Sequence, residues 1–415
     1  MTTTIVVIFL AVYAGMILGG LPFLQLDRTG VALLGAIALI SLDAVGIEEA
    51  AKAVHLPTIV LFFSFMVVSA QMRLGGFYDW VTRRLAALAL SPPWLLAVLM
   101  ASIAGLSAVF SNDIVCLAVA PVLIDACERR TLDPVPYLLA LACAANIGSA
   151  ATLIGNPQNI LVGQGLRLSF SGYFAEALPQ VVLGLAAAWL VIVWRTQGRW
   201  ERVAERMPAQ ERRQAAAAEA PLDRWQTAKG LTVASLLLVA FVFAPWPREH
   251  VALTAAGVLL MSRRLHSSKM LGLVDWELLV MFIGLFVVNH ALQRTGLPDK
   301  AVADLRLLGL DLHEPGPLFA ATFALSNIVS NVPAVMLLLP LATHPMAGPL
   351  LALVSTLAGN LLIVGSIANI IVVDSAARRG VRIDWHQHAR IGVPVTIATL
   401  AITAGWLWLR LRGPG

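Results

Sequence analysis

Apolar runs of about 17–25 residues, the length a helix needs to cross a bilayer, recur along almost the whole chain. Simple runs occupy residues 4–23, 30–47, 57–74, 172–194, 230–246, 250–262, 276–292 and 391–409. Four others are interrupted by polar residues. Residues 93–126 and 316–342 read as re-entrant helical hairpins, and 134–166 and 349–372 as spans broken near Gly155-Asn156-Pro157 and Gly365-Ser366. The one long polar stretch is 195–229, where Arg195, Arg199, Arg202, Arg206, Arg212 and Arg213 alternate with Glu201, Glu205, Glu211 and Glu219. It reads as an amphipathic linker.

The interruptions repeat. The first hairpin turns at Phe110-Ser111-Asn112-Asp113 and the second at Ser330-Asn331-Val332-Pro333, with Ser330 lying 219 positions after Ser111. Pro121 and Pro340 match at the same offset, Phe62–Val68 resembles Phe282–Val288 at an offset of 220, and Gly155 and Asn159 recur as Gly365 and Asn369 at 210. Ordered matches of this kind predict an internal duplication: a first repeat at 1–194, the linker at 195–229 and a second repeat at 230–415. Each repeat then holds five full spans plus one hairpin. Five is odd, so the second repeat lies upside down relative to the first. The fold class expected is an all-α polytopic membrane protein of two inverted-topology repeats, each with a re-entrant hairpin and a broken helix.

Charge orients this arrangement. With re-entrant hairpins, 21 of the 29 Lys and Arg residues gather on one side, among them Arg28, Arg73, Arg83, Arg129, Arg130, Arg379, Arg390 and the linker. The positive-inside rule makes that side cytoplasmic and puts both termini outside. The first segment lacks a basic start and a small-residue cleavage site, so it is expected to stay as a helix. Composition agrees: 59% of residues are hydrophobic and 13% charged, against about 25% charged in soluble domains. The net charge of +5 therefore reflects cytoplasmic loops, and no nucleic-acid partner is expected. Cys116, Cys127 and Cys143 have no metal-ligand spacing and read as buried thiols. The chain has no phosphate loop, His-Glu metal motif or nucleophile elbow, so neither an enzyme nor an ATP-driven pump is expected and no cofactor is implied.

Irregular backbone at bilayer depth is tolerated only inside protein or beside a water-filled cavity, so the four breaks are the candidate site. Ser111 or Asn112 can cap one half-helix and Asn156, ahead of Pro157, a second. Ser330-Asn331 and Gly365-Ser366 open two more, with Gly155 and Gly365 permitting the turns. Four N-termini would bring unpaired N–H groups to one centre, suited to an oxyanion or a hydroxylated solute. The substrate-lining candidates are Ser111, Asn112, Thr152, Gly155, Asn156, Asn159, Ser330, Asn331, Asn360, Gly365, Ser366 and Asn369. Hydrogen bonding between helices would explain any one of these Ser and Asn residues; their clustering at marked breaks argues for a site. Asp113 stands apart, because its repeat counterpart is Val332. An acid within a span is a functional candidate by default. Burial favours its neutral form and the half-helix N-terminus its charged form, so Asp113 could carry a proton, pair with Na⁺, or simply cap its helix.

These motifs, with the run Ala151-Thr152-Leu153-Ile154-Gly155-Asn156-Pro157-Gln158-Asn159-Ile160 and Gly359-Asn360 before Gly365-Ser366-Ile367-Ala368-Asn369, resemble the ion transporter superfamily. The nearest branch is the arsenite-permease/NhaD-type group of anion permeases, which shares a citrate-transporter-like domain. Sodium-coupled dicarboxylate and sulfate symporters of the superfamily carry Ser-Asn-Thr at both tips, where this chain has Asp113 and Val332. The resemblance implies a homodimer working by elevator-like motion in the inner (plasma) membrane. It implies secondary active transport of a small inorganic oxyanion or arsenite-like solute coupled to H⁺ or Na⁺. A Na⁺/H⁺ antiporter, a Na⁺-coupled carboxylate or sulfate symporter, and a passive anion channel are the alternatives.

Overall fold

The computed structural model describes residues 1–21, 24–201 and 222–412. Residues 202–221, the middle of the expected linker, lie outside the described residues. Among the described residues, apart from one two-residue β pairing, Gly20–Leu21 with Leu26–Asp27, and an isolated bridge between Leu132 and Glu201, the regular structure is helical. The first series of helices is α1 (Thr2–Leu18), α2 (Arg28–Ser41), α3 (Ile47–Ala53), α4 (Leu56–Leu74), α5 (Phe77–Ala86), α6 (Pro92–Val109), α7 (Asn112–Arg129), α8 (Pro134–Ser149), α9 (Pro157–Gly165) and α10 (Phe170–Thr196). The second is α11 (Arg224–Phe243), α12 (Arg248–Leu260), α13 (Ser267–Leu271), α14 (Trp276–Gln293), α15 (Leu297–Leu307), α16 (Pro315–Val329), α17 (Asn331–Leu338), α18 (Ala347–Ala358), α19 (Ile367–Ala377) and α20 (Trp385–Arg412). Each helix of the second series answers to the one numbered ten lower.

Packing obeys the same correspondence. Helix α2 lies on α14 and α4 on α12; α6 packs on α8 and α16 on α18; α7 packs on α19 and α17 on α9; α1 meets α14 and α11 meets α4. The long helices α10 and α20, counterparts of each other, pack together. Phe62 and Phe282, matched in the sequence, meet edge to face with ring centroids 4.5 Å apart, a favoured aromatic geometry. Among the described residues six helices, α4, α6, α10, α11, α14 and α20, have by length and composition what a bilayer crossing needs, α6 as an arm of the first hairpin. The pairs α8–α9 and α18–α19 are the broken spans.

The hairpins are re-entrant because their tips meet those breaks. The Asn112 backbone N–H donates to the Gly155 carbonyl at 3.2 Å, so the tip between α6 and α7 ends where α8–α9 is interrupted. The second tip ends in the same way, with the Asn331 side-chain amide packed against Gly359. At the base of the first hairpin the Arg130 guanidinium donates to the carbonyls of Ala86 at 2.8 Å, Leu88 at 2.9 Å and Leu90 at 3.1 Å. It thereby satisfies the open end of α5.

Two boundaries move outward from the apolar runs. Helix α11 starts at Arg224 rather than near residue 230, because the Asp223 carboxylate accepts from the N–H groups of Trp225 and Gln226. In its first turns Gln226 and Thr227 are buried, and Gln71 of α4 donates to the side chain and backbone carbonyls of Gln226 at 2.9 and 3.0 Å. Helix α20 likewise begins at Trp385, ahead of its apolar run. The duplication is not exact in packing: α5 sits on α6 and α7, whereas its counterpart α15 buries none of its residues fully.

Candidate functional site

The four breaks form one interlocked polar centre. Asn146 near the end of α8 reaches across to the second broken span. Its Nδ2 donates to Asn360 Oδ1 at 2.9 Å and Asn369 Oδ1 at 3.1 Å, and its Oδ1 accepts from Ser366 Oγ at 2.9 Å. Thr356, 210 positions later on α18, makes the reciprocal reach. Its Oγ1 accepts from Asn156 Nδ2 and Gln158 Nε2 and donates to Asn159 Oδ1, each at 3.1 Å. Each repeat thus clasps the break of the other. Asn112, from the first hairpin tip, joins the clasp by donating to Asn146 Oδ1 at 3.3 Å.

Other candidates brace the breaks themselves. Asn159 Nδ2 donates to the Thr152 carbonyl at 2.9 Å, and Asn369 Nδ2 to those of Gly359 at 2.8 Å and Leu362 at 3.0 Å. Thr152 donates to the Ala108 carbonyl at 2.5 Å, tying the first break to the hairpin. Gly155 is hemmed in by the carbonyls of Ser149 and Ser107, and Gly365 by that of Gly359. Tyr173 donates to the Ala150 carbonyl at 2.7 Å and supports the same loop.

The half-helices begin where the sequence places them, but their caps differ. Asn156 accepts from the Asn159 N–H at 2.9 Å and so caps α9 with its own side chain. Ser111, Ser330 and Ser366 occupy the N-cap positions of α7, α17 and α19 and make no side-chain cap bond. The first-turn amides of those three half-helices therefore keep their partial positive charge unanswered by a cap. Ser330 also holds φ +80° and ψ 159°, a backbone region costing about 1–3 kcal/mol outside glycine.

Several buried polar atoms at the centre have no hydrogen-bond partner among the described residues. They include Oδ1 of Asn112, Oδ1 of Asn331 and Nδ2 of Asn360. The hydroxyls of Ser107 and Ser326 are orphaned too, and like Asn112 and Asn331 they are separated by 219 positions. Each such atom costs about 1–3 kcal/mol. Matched orphans at both tips place acceptors where a cation or a hydroxyl could satisfy them, and the Asn360 amide where an oxygen could. Asp113 sits half-buried in the first turn of α7 with no hydrogen-bond or ion-pair partner among the described residues. A cavity of about 680 Å³ runs along α7 from Arg130 to Leu117, four residues short of Asp113; Arg73, Arg83, Arg129, Arg130 and Arg379 line it. All five belong to the side assigned the positive charge. Among them Arg379 is ion-paired with Asp125.

Residues outside the centre have structural explanations. Asn289 accepts from Tyr13 Oη at 2.9 Å, and His290 and Arg294 meet Glu49 at 2.9 and 2.7 Å. Asp374 pairs with Arg378 one turn on, and the three cysteines are buried and free. Asn146, Ser149, Gln158, Thr356 and Tyr173 were not singled out in the sequence. The equal spacing of Asn146 and Thr356 to that of Gly155 and Gly365 could have revealed the clasp. Asn146→Ala is expected to lower the melting temperature of the purified protein by several degrees, because it removes a partner from three buried amides, those of Asn112, Asn360 and Asn369, and from the Ser366 hydroxyl. Asn146→Thr, which copies Thr356, should recover part of the loss in the same thermal melt.

Oppositely oriented repeats, hairpin tips that stop at mid-span and a shared polar centre define a membrane transporter rather than an enzyme. The sequence profile of the citrate transporter family, CitMHS, matches residues 5–358, and the chain belongs to that family. It is 28% identical to the silicon efflux transporter LSI3 of Oryza sativa subsp. japonica, covering 92% of each chain. It is 23% identical to a transporter named arsB from Dictyostelium discoideum, covering 91% of this chain and 87% of that one. Among solved structures, the YdaH transporter of Alcanivorax borkumensis superposes with a TM-score of 0.59 at 14% identity, covering 100% and 99% of the two chains. That likeness concerns the fold. It agrees with the helical, interrupted architecture expected from the apolar pattern.

Proposed function

We propose that the chain is a secondary active transporter of a small inorganic oxyanion or a metalloid hydroxide of the arsenite type, coupled to H⁺ or Na⁺. The observation that carries this reading is the pairing of unlike groups at one centre. Uncapped half-helix amides and the orphaned Asn360 amide suit substrate oxygens; Asp113 and the orphaned Asn112 and Asn331 oxygens suit a proton or a metal cation. In this reading Ser111, Asn112, Thr152, Gly155, Asn156, Asn159, Ser330, Asn331, Asn360, Gly365, Ser366 and Asn369 form the substrate site and Asp113 is the coupling acid. Residues 1–194 and 230–415 are the two repeats, joined by a cytoplasmic linker, with both termini outside the inner membrane and a homodimer moving by an elevator-like step. The relative described as a silicon efflux transporter fits a small hydroxylated solute.

The family's description as citrate transporters favours a second reading, Na⁺-coupled carboxylate symport. Flux into proteoliposomes separates the two. With arsenite, silicate, phosphate, sulfate, succinate and citrate offered side by side under Na⁺ or H⁺ gradients, concentrative movement of an inorganic oxyanion or hydroxide is expected. Uptake of the carboxylates alone would replace this reading with the second, gradient-driven Na⁺ movement without any solute would make the protein an antiporter, and purely downhill flux would make it a channel.

A further inference from the structure

A second basic cavity is lined by none of the polar-centre residues described above. About 320 Å³ in volume, it opens between the N-terminal end of α8, the C-terminal end of α10 and the N-terminal end of α20. Arg195, Arg199 and Arg390 line it together with Asp133, Thr196 and Gln387. The arginines here are poorly answered by the protein. Arg195 and Arg390 have no carboxylate partner among the described residues. Nε of Arg195 is buried and lacks a hydrogen-bond partner, while its guanidinium lies over the Trp194 ring, 4.6 Å from the centroid. Arg199 reaches the side-chain oxygen of Gln197 at 3.2 Å. The one acid present, Asp133, is engaged by the Val135 N–H at 3.1 Å. In the larger cavity, by contrast, Arg379 faces Asp125 and Arg130 grips three carbonyls.

The cavity's position selects its ligand. Three span ends meet there, which sets it at the surface of the bilayer. Trp194 and Trp385 flank it, 65% and 66% exposed, as aromatic residues do at the headgroup level. Deeper along the same two helices, Leu190 and Ile397 turn apolar side chains outward. Cations at the rim above apolar helix faces match a phosphate headgroup above its acyl chains. We propose that this cavity binds the phosphate of an anionic membrane lipid through Arg195, Arg199 and Arg390, anchoring α10 and α20 to the bilayer surface.

The test uses the purified full-length protein in mild detergent, titrated with cardiolipin, phosphatidylglycerol or phosphatidylcholine and read by native mass spectrometry. The two anionic lipids are expected to be retained and phosphatidylcholine lost. The R195Q/R390Q variant should weaken anionic-lipid retention roughly thirtyfold, from the attraction of two surface charges. R195K/R390K should keep most of it, and R73Q, in the other cavity, should leave it unchanged. Equal retention of phosphatidylcholine, or an unaffected R195Q/R390Q variant, would overturn the assignment. So would full displacement of the lipid by millimolar inorganic phosphate, which would make this a soluble-anion site. Should the glutamine pair fail to fold, the lipid comparison on the unaltered protein and the phosphate competition still decide.

Discussion

Asp113→Asn is expected to abolish gradient-driven uptake into proteoliposomes and to leave the protein folded. The substitution keeps the shape of the acid and removes its titratable charge from the first hairpin tip. Ser, Thr and Asn side chains cannot exchange a proton near neutral pH, and His388, which reaches the Asn360 carbonyl at 3.1 Å, is untouched by it, so a coupling role for Asp113 predicts a centre that still cradles a solute without tying its movement to an ion. The asymmetry of the repeats strengthens the expectation, since Val332 occupies the matching position in the second hairpin and offers no substitute. An acid within a span costs roughly 2.5–3.5 kcal/mol on insertion scales, and Asp113 has no partner among the described residues to offset that cost. Replacing it with a neutral amide should therefore hold or raise the melting temperature. A fold-only role predicts the opposite pair of results: a lower melting temperature with concentrative uptake intact. Intact concentrative uptake removes Asp113 from the coupling role, and a lower melting temperature beside it assigns the residue to the fold.

What the sequence disclosed, and what it hid, follows from the contrast each feature makes with its surroundings. Ser111-Asn112-Asp113 and Gly155-Asn156-Pro157 stand out because hydrocarbon-length runs have no reason to contain them, and Asn156 caps α9 as its position before Pro157 predicts. The second copies stand out twice, once locally and once by offset. Asn146 and Thr356 are different. Each lies inside a helical apolar run ahead of the break rather than at it, where one polar residue resembles ordinary helix-to-helix glue. Their importance is a matter of what they cross to, which depends on the pairing of α8 with α19 and α9 with α18. The short helices α3, α5, α13 and α15 were also hidden. They span only five to eleven residues, less than the window over which a helical period can be told from a loop. Arg195 and Arg390 were legible as cytoplasmic charge, but their convergence required the ends of α8, α10 and α20 to meet.

Gly155 and Gly365 are equivalent in sequence, yet the structure separates what alanine should do at each. A Cβ on Gly155 would stand 2.3 Å from the Ser149 carbonyl oxygen and 2.7 Å from that of Ser107. Both are backbone atoms, so no side chain can swing aside, and the Asn112 N–H that bonds to the Gly155 carbonyl must shift with the loop. Overpacking of this kind costs about 1–3 kcal/mol or more, and here it also pushes the hairpin tip out of the centre. A Cβ on Gly365 would stand 3.1 Å from the Gly359 carbonyl oxygen and 3.6 Å from Asn327 Oδ1, a crowding that small adjustments relieve. Gly155→Ala should thus eliminate transport and lower the melting temperature by several degrees, while Gly365→Ala keeps a measurable share of both. The comparison needs only thermal melts and uptake assays on the two variants in parallel. Equal damage from both would mean that the breaks are felt identically from the two repeats, and that the tighter closure of the first hairpin onto its neighbouring break has no part in how the substrate site is held.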